Sequence, residues 1–254
     1  MGSVTWLGHA SAVIDIDGVR LLTDPLLRDR VGALVRVAGA RPPDEDVAGI
    51  DAVLLSHLHY DHVDLPSLER IAPSAAVIAP RGAGAWLTAH GVHNVRELAV
   101  GAEAEVGALR VTATRAAHDG RRRPFGLSAD AIGFVVRGSR SVYFAGDTGL
   151  FPEMSAMAGQ VDAALLPVWG WGRTLGPGHL DPQLATIAAS LIEPRLAVPI
   201  HWGTFAPWPR PLRPKDVGKP PREFAELVSR LAIDVDVRVL SPGESTVVPA
   251  RPAS

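Results

Sequence analysis

At 254 residues the chain is long enough to bury a large core and lies at the upper end of single-domain size. It contains no cysteine, which excludes disulfides, thiolate chemistry and cysteine-ligated zinc, so any metal must be held by nitrogen and oxygen. A net charge of −2 leaves no footprint for nucleic acid and no polybasic membrane anchor.

In chain order, Ala12 to Ile16 and Val19 to Leu22 read as two strands around Asp17-Gly18, a two-residue hairpin signal. The second strand runs into Thr23-Asp24-Pro25, and residues 26–50, rich in Arg, Pro and Gly, read as a long surface loop. Asp51 to Leu55 is a short apolar run typical of a buried strand, and Ala76 to Ala79 and Leu109 to Thr114 look similar. Ile132 to Val136 and Ser141 to Ala145 form a hairpin around Gly138-Ser139. Asp162 to Leu166 and Leu196 to Ile200 repeat the buried-strand pattern. A helix begins at Asp181, a good N-cap, with Pro182 at its first position and Leu184, Ile187, Ala188, Leu191 and Ile192 as its apolar stripe; Pro194 stops it. A second amphipathic helix covers 221–232, after a Pro-rich surface at 206–221. Mixed strands with interspersed helices predict sheets covered by helices, as one domain over 1–254. The most apolar stretch, Leu184 to Ile200, is broken by Glu193, Pro194 and Arg195, so no membrane insertion is expected. The first residues carry no secretory signal, and the expected location is the cytoplasm.

Three of the nine histidines fall within Ser56-His57-Leu58-His59-Tyr60-Asp61-His62, directly after a buried strand. Charged imidazoles crowded in this way repel one another. Neutral ring nitrogens and a carboxylate converging on a cation do not, and that outweighs reading them as capping and surface histidines. Three further candidates each follow a predicted strand: His118, Asp147 in Phe144-Ala-Gly-Asp-Thr-Gly, and His201 in Ile200-His-Trp-Gly-Thr. His90 and His93 lack that setting and read as surface residues.

With Trp6-Leu-Gly-His-Ala-Ser and Leu22-Thr-Asp-Pro, these pieces resemble the metallo-β-lactamase superfamily, in particular the branch containing ascorbate-6-phosphate lactonase and N-acyl-phosphatidylethanolamine phospholipase D. The resemblance implies an α+β fold, an αββα sandwich of two similar halves with the site at one edge of its two sheets. It implies that His57, His59 and His118 hold one metal and Asp61, His62 and His201 another, with Asp147 bridging, so that five of these residues would come from the first half. Two cations about 3.5–4 Å apart lower the pKa of bound water, and the implied activity is a hydrolase using a metal-activated hydroxide on a phosphodiester, lactone or related ester of a small molecule. Asp61 would also orient the nucleophile or accept its proton. Zinc is the first choice for two divalent ions; manganese or iron also suits these ligands.

Around the metals, Asp24 is either a turn residue or, by the resemblance, an acceptor that fixes a ligand histidine; His9 admits the same two readings. His179, just before the helix, is a catalytic or substrate-binding candidate by the resemblance. Trp169 and Trp171, alternating with glycines, read as pocket wall or core. Arg173 and the run Arg121-Arg122-Arg123 read as attractants for an anionic substrate or as solvated surface. The competing functions are a nuclease, which needs a basic groove, a single-iron dioxygenase on the same fold, and a non-catalytic scaffold, which the seven filled ligand positions disfavour.

Overall fold

The computed structural model describes residues 2–71, 75–122, 126–170, 175–209 and 217–250. The chain opens with an antiparallel meander of β1 (Gly2–Gly8), β2 (Ser11–Ile16) and β3 (Val19–Thr23). The turn between the last two is the expected one, Asp17 and Gly18 taking positive φ angles of 56° and 79°. Residues 26–50 are not simply loop. They carry β4 (Arg30–Val31), β5 (Leu34–Arg36) and a 3-10 turn at Glu45–Val47. Beyond Asp51, β6 (Ala52–Leu54), β7 (Ala76–Pro80) and β8 (Val95–Leu98) add to β3 in parallel, with α1 (Leu65–Ile71) and α2 (Gly84–Ala89) in the crossovers.

The second sheet repeats this plan. β9 (Glu103–Val106), β10 (Leu109–Arg115), β11 (Ile132–Arg137) and β12 (Ser141–Phe144) are antiparallel. They are followed in parallel by β13 (Ala163–Pro167) and β14 (Leu196–Ile200), joined through α3 (Pro182–Ile192). β15 (Phe205–Pro207) crosses to pair with β5, and α4 (Lys219–Arg230) leads to β16 (Asp236–Val237), parallel to β14. β17 (Ser245–Val247) returns to the first sheet beside β1.

Strand alternation sets the layers. Phe134, Val136, Val142 and Phe144 face a core between the sheets together with Trp6, Ile14 and Leu21. The intervening Val135 and Tyr143 face outward onto Ala188 and Ile192 of α3 and Phe224 of α4. On the far side, Leu22, Val53 and Val77 pack with Leu68 and Ile71 of α1 and Leu87 of α2. The result is helices, sheet, sheet, helices: an αββα sandwich.

The expected N-cap is present, Asp181 accepting from the Leu184 N–H at 2.8 Å. The expected stripe faces the core at all but one of its residues, Leu184 and Leu191 packing partly buried against it. Ala185, Ala188, Ala189 and Ile192 are buried, whereas Ile187 is 45% exposed. No helix among the described residues is long and apolar enough to cross a membrane.

Candidate metal centre

The segments that leave β1, β3, β6, β10, β12, β13 and β14 at their carboxyl ends meet at one rim of the sandwich, where α/β sheets generally bind ligands. Three of the residues brought there hold left-handed backbone: His9 (φ 54°), Asp24 (φ 30°) and His201 (φ 60°). Such angles in non-glycine residues cluster at functional sites.

The segment after β6 supplies His57, His59, Asp61 and His62. His118 follows β10, Asp147 follows β12, and an isolated bridge between Ala117 and Gly149 ties those two loops together. His201 follows β14. The division between halves is therefore four and three rather than five and two, because the strand before His118 belongs to the second sheet.

The inner nitrogens form two sets. In one, His59 Nδ1 lies 3.0 Å from His57 Nε2 and 3.1 Å from His118 Nε2. In the other, His62 Nε2 is 3.1 Å from His201 Nε2, and both approach Asp61 Oδ2, at 3.8 and 3.6 Å. Asp147 faces this second set through both oxygens, Oδ2 at 3.3 Å from His62 and Oδ1 at 3.3 Å from His201, and it also groups with His118 of the first. A tetrahedral ion with metal–nitrogen bonds of about 2.0–2.1 Å separates its ligands by about 3.3 Å. The observed spacings bracket that value.

The outer nitrogens settle the tautomers. His62 Nδ1 donates to Asp24 Oδ2 (2.7 Å), His118 Nδ1 to the Gly178 carbonyl (2.8 Å) and His201 Nδ1 to the Trp169 carbonyl (2.8 Å). Ser56 Oγ donates to Asp24 Oδ2 at 2.5 Å, so it accepts from His57 Nδ1 at 2.9 Å. Each of these four rings thus turns Nε2 inward, where the neutral ring presents the lone pair that ligates a metal. His59 is reversed, with Nδ1 inward. Its Nε2 and Asp147 Oδ1 are buried with no hydrogen-bond partner among the described residues. Lone pairs 3.0–3.1 Å apart repel unless a proton or a cation lies between them, so the donor set fits divalent ions.

The electrostatics separate the two sets. Burial, then the charge of His62, holds His57 well below the ordinary imidazole range, and burial with His118 brings His59 down to about 4. Burial also lowers His118. His62 and His201 feel the same burial, but Asp147 and Asp61 outweigh it and raise both. Burial pushes Asp61 and Asp147 upward, yet the facing imidazoles pull both well below the usual carboxylate range. Asp24, fully buried, is raised by desolvation.

His179 stands at the edge, Nδ1 donating to the Gly176 carbonyl (3.0 Å) and Nε2 lying 3.5 Å from Asp147 Oδ2. Beside it opens a cleft of about 510 Å³ whose walls include Ala117, Leu150, Leu175, Pro177 and Leu184. Trp169 contributes its carbonyl to His201, and Trp171 and Arg173 lie outside the described residues. Of the arginine run, Arg121 is exposed, Arg123 lies outside the described residues, and Arg122 is buried. Its guanidinium lies 4.0 Å from the Tyr60 ring centroid and 4.5 Å from that of Trp86. There it donates to the carbonyls of Leu58 (2.8 Å) and Val63 (3.2 Å). That bracing role has no signature in a run of three arginines. His9, left open above, is buried against the second set, with Nε2 3.0 Å from Asp61 Oδ2; its place directly after a strand, as for His118 and His201, was the available signal.

A family profile described as a β-lactamase superfamily domain matches residues 19–202. A UPF0173 metal-dependent hydrolase of Methanopyrus kandleri is 36% identical over 248 residues, covering 95% of this chain and 98% of that protein. The N-acyl-phosphatidylethanolamine-hydrolyzing phospholipase D 1 of Caenorhabditis elegans is 32% identical over 230 residues, 79% of this chain and 64% of that one. Among solved structures, Igni18, a metallo hydrolase from Ignicoccus hospitalis, superposes with a TM-score of 0.76 at 25% identity, covering 98% of this chain and 99% of its own. Profile, relatives and fold agree, and the chain belongs to the metallo-β-lactamase superfamily as a metal-dependent hydrolase.

Proposed function

We propose that the chain is a binuclear hydrolase that cleaves a phosphodiester, lactone or related ester bond of a small molecule. The observation that carries this reading is the pair of donor sets sharing Asp147. His57, His59 and His118 would hold one cation, Asp61, His62 and His201 the other, and Asp147 both. Zinc suits these ligands best, and no redox partner is required of it. Bound there, the two cations would supply an activated water and a counter-charge for the oxyanion that develops.

The chain's own groups do the rest. Asp24, Ser56, Gly178 and Trp169 hold the imidazoles in the ligating tautomer through the hydrogen bonds described above. Asp61 orients the attacking water or takes its proton. His179, about a quarter exposed beside the cleft, would in its doubly protonated form pass the Nε2 proton to the departing oxygen as the ester bond breaks, while Nδ1 keeps its hydrogen bond to Gly176. The phosphodiester option is supported by the nematode relative, which is named for hydrolysing N-acyl-phosphatidylethanolamine.

The test is metal quantification of the purified chain, followed by assays on p-nitrophenyl phosphodiesters, lactones and amides. Two equivalents of zinc with turnover of at least one ester class is the expected result. One equivalent of iron with thiol-dependent oxygen uptake would overturn the hydrolytic reading in favour of a dioxygenase. His59→Ala removes the nitrogen common to both short contacts of the first set, so it should lose metal and activity together.

A further inference from the structure

His9 is the least expected neighbour of the centre, and its backbone and its Nε2 are both held. Its backbone N–H donates to Thr204 Oγ1 at 2.8 Å, and its carbonyl accepts from the His201 N–H (2.8 Å) and the Trp6 indole (2.9 Å). The ring lies 3.9 Å, centroid to centroid, from His201, and the Phe205 ring stands nearly perpendicular to it at 5.7 Å. Only 2% of the residue is exposed, and it holds φ at 54°, a conformation with a real cost for a non-glycine residue. This anchoring directs Nε2 to within 3.0 Å of Asp61 Oδ2, the oxygen that faces His62 and His201.

A ring nitrogen at that position has two possible uses, as a further ligand or as a donor to the carboxylate. His57, His62, His118 and His201 each tie the outer nitrogen to an oxygen, leaving the inner lone pair free for a cation. His9 instead makes its side-chain hydrogen bond with the nitrogen that faces the site. A neutral ring presenting N–H to a carboxylate is a donor there, with no lone pair for a cation.

We infer that His9 is a positioning residue that holds the Asp61 carboxylate in its ligating orientation. It links that carboxylate, from the first half, to the loop carrying His201, from the second. The inference rests on the binuclear reading above. Removing a partner that orients a metal ligand typically costs about 10–100-fold in metal affinity, and here the loss should fall on the second cation alone.

The experiment is a competition titration of zinc against a chromophoric chelator on the full chain, with wild type, His9→Asn and His9→Gln. Asn tolerates the left-handed backbone but is too short to reach Asp61. Gln places an amide N–H close to where Nε2 stood, yet it is a poor zinc ligand. The expected result is two tight equivalents for wild type and a second equivalent weakened about 10–100-fold in His9→Asn, with the first unchanged. In His9→Gln the second equivalent should recover to within a few fold of wild type. Equal binding by wild type and His9→Asn overturns the inference, and so does a His9→Gln protein as impaired as His9→Asn, which would make the ring a ligand or a packing element. Should His9→Asn fail to fold, as judged by circular dichroism, His9→Gln alone decides between donor and ligand. A wild-type protein that binds fewer than two equivalents defeats the functional reading itself, a separate outcome.

Discussion

Gly146 occupies the position just before Asp147, at φ 59°, with its α-carbon pressed against the segment that begins the histidine cluster. A Cβ added there would stand 2.5 Å from Ser56 Cβ and 2.8 Å from Ser56 Oγ, inside any real contact distance. Ser56 also donates to Asp24 and accepts from His57, so the clash would be passed to both partners. Gly146→Ala is therefore expected to destabilise the metal-free protein by about 1–3 kcal/mol, from overpacking together with the left-handed backbone. It should also weaken zinc binding, because Asp147 and His57 move apart from their sets. Urea unfolding in chelator, beside a zinc titration, measures both; a variant matching wild type in each would show that this close approach does not shape the site.

At the scale of elements, the loop from Ser56 to Val63 is held from below by Arg122. Leu58 and Val63 offer it their carbonyls, and Tyr60 and Trp86 sandwich its charge. Burial lowers the guanidinium's pKa, though it stays charged in the ordinary range of pH. Arg122→Met keeps most of the apolar stem and strands two carbonyls, with an expected cost of about 1–3 kcal/mol. The loop should then hold its four candidate ligands less well, so zinc affinity should fall with stability; a stability loss without an affinity loss would separate the two. Much of this level was legible in the residues. The cluster at 57–62, Asp147 and His201 stand at strand ends, and a short apolar run followed by ligand-type side chains marks such ends directly. The N-cap at Asp181 is equally local. Other elements were not legible, for physical reasons. β4 and β5 are too short for any periodicity, α2 is six residues containing Gly84 and small side chains, and β9 pairs through an edge whose alternation spans four residues. The α3 stripe is legible except at Ile187, which stands exposed while Ala185 and Ala189, small enough to carry no periodic signal, are buried. Arg122 reads as part of a charge run until its burial is seen.

For the whole molecule, the two sheets follow one plan, four antiparallel strands continued by three parallel ones, and the candidate centre lies where the halves meet. That repeat is one of topology, and it places His118 in the second half, because β10 belongs to the second sheet. With four candidate ligands from the first half and three from the second, cations would act as a clasp across the interface. Anything that binds the folded state alone stabilises it by RT ln(1 + [L]/Kd), about 2.7 kcal/mol for one site at 100 times Kd. In a protein of this size 1 kcal/mol shifts Tm by about 2–4 °C, so stripping one such cation should lower Tm by about 5–11 °C. The shift should grow linearly with the logarithm of free zinc above Kd. His59→Ala, lacking a central donor of the first set, should lose part of that dependence, and Gly146→Ala should melt lower while retaining some of it. Thermal melts in chelator and in buffered zinc test this directly. A Tm indifferent to zinc in the wild-type chain would mean that the histidines and carboxylates close the rim without a cation, and that the two halves are held by their inter-sheet core alone.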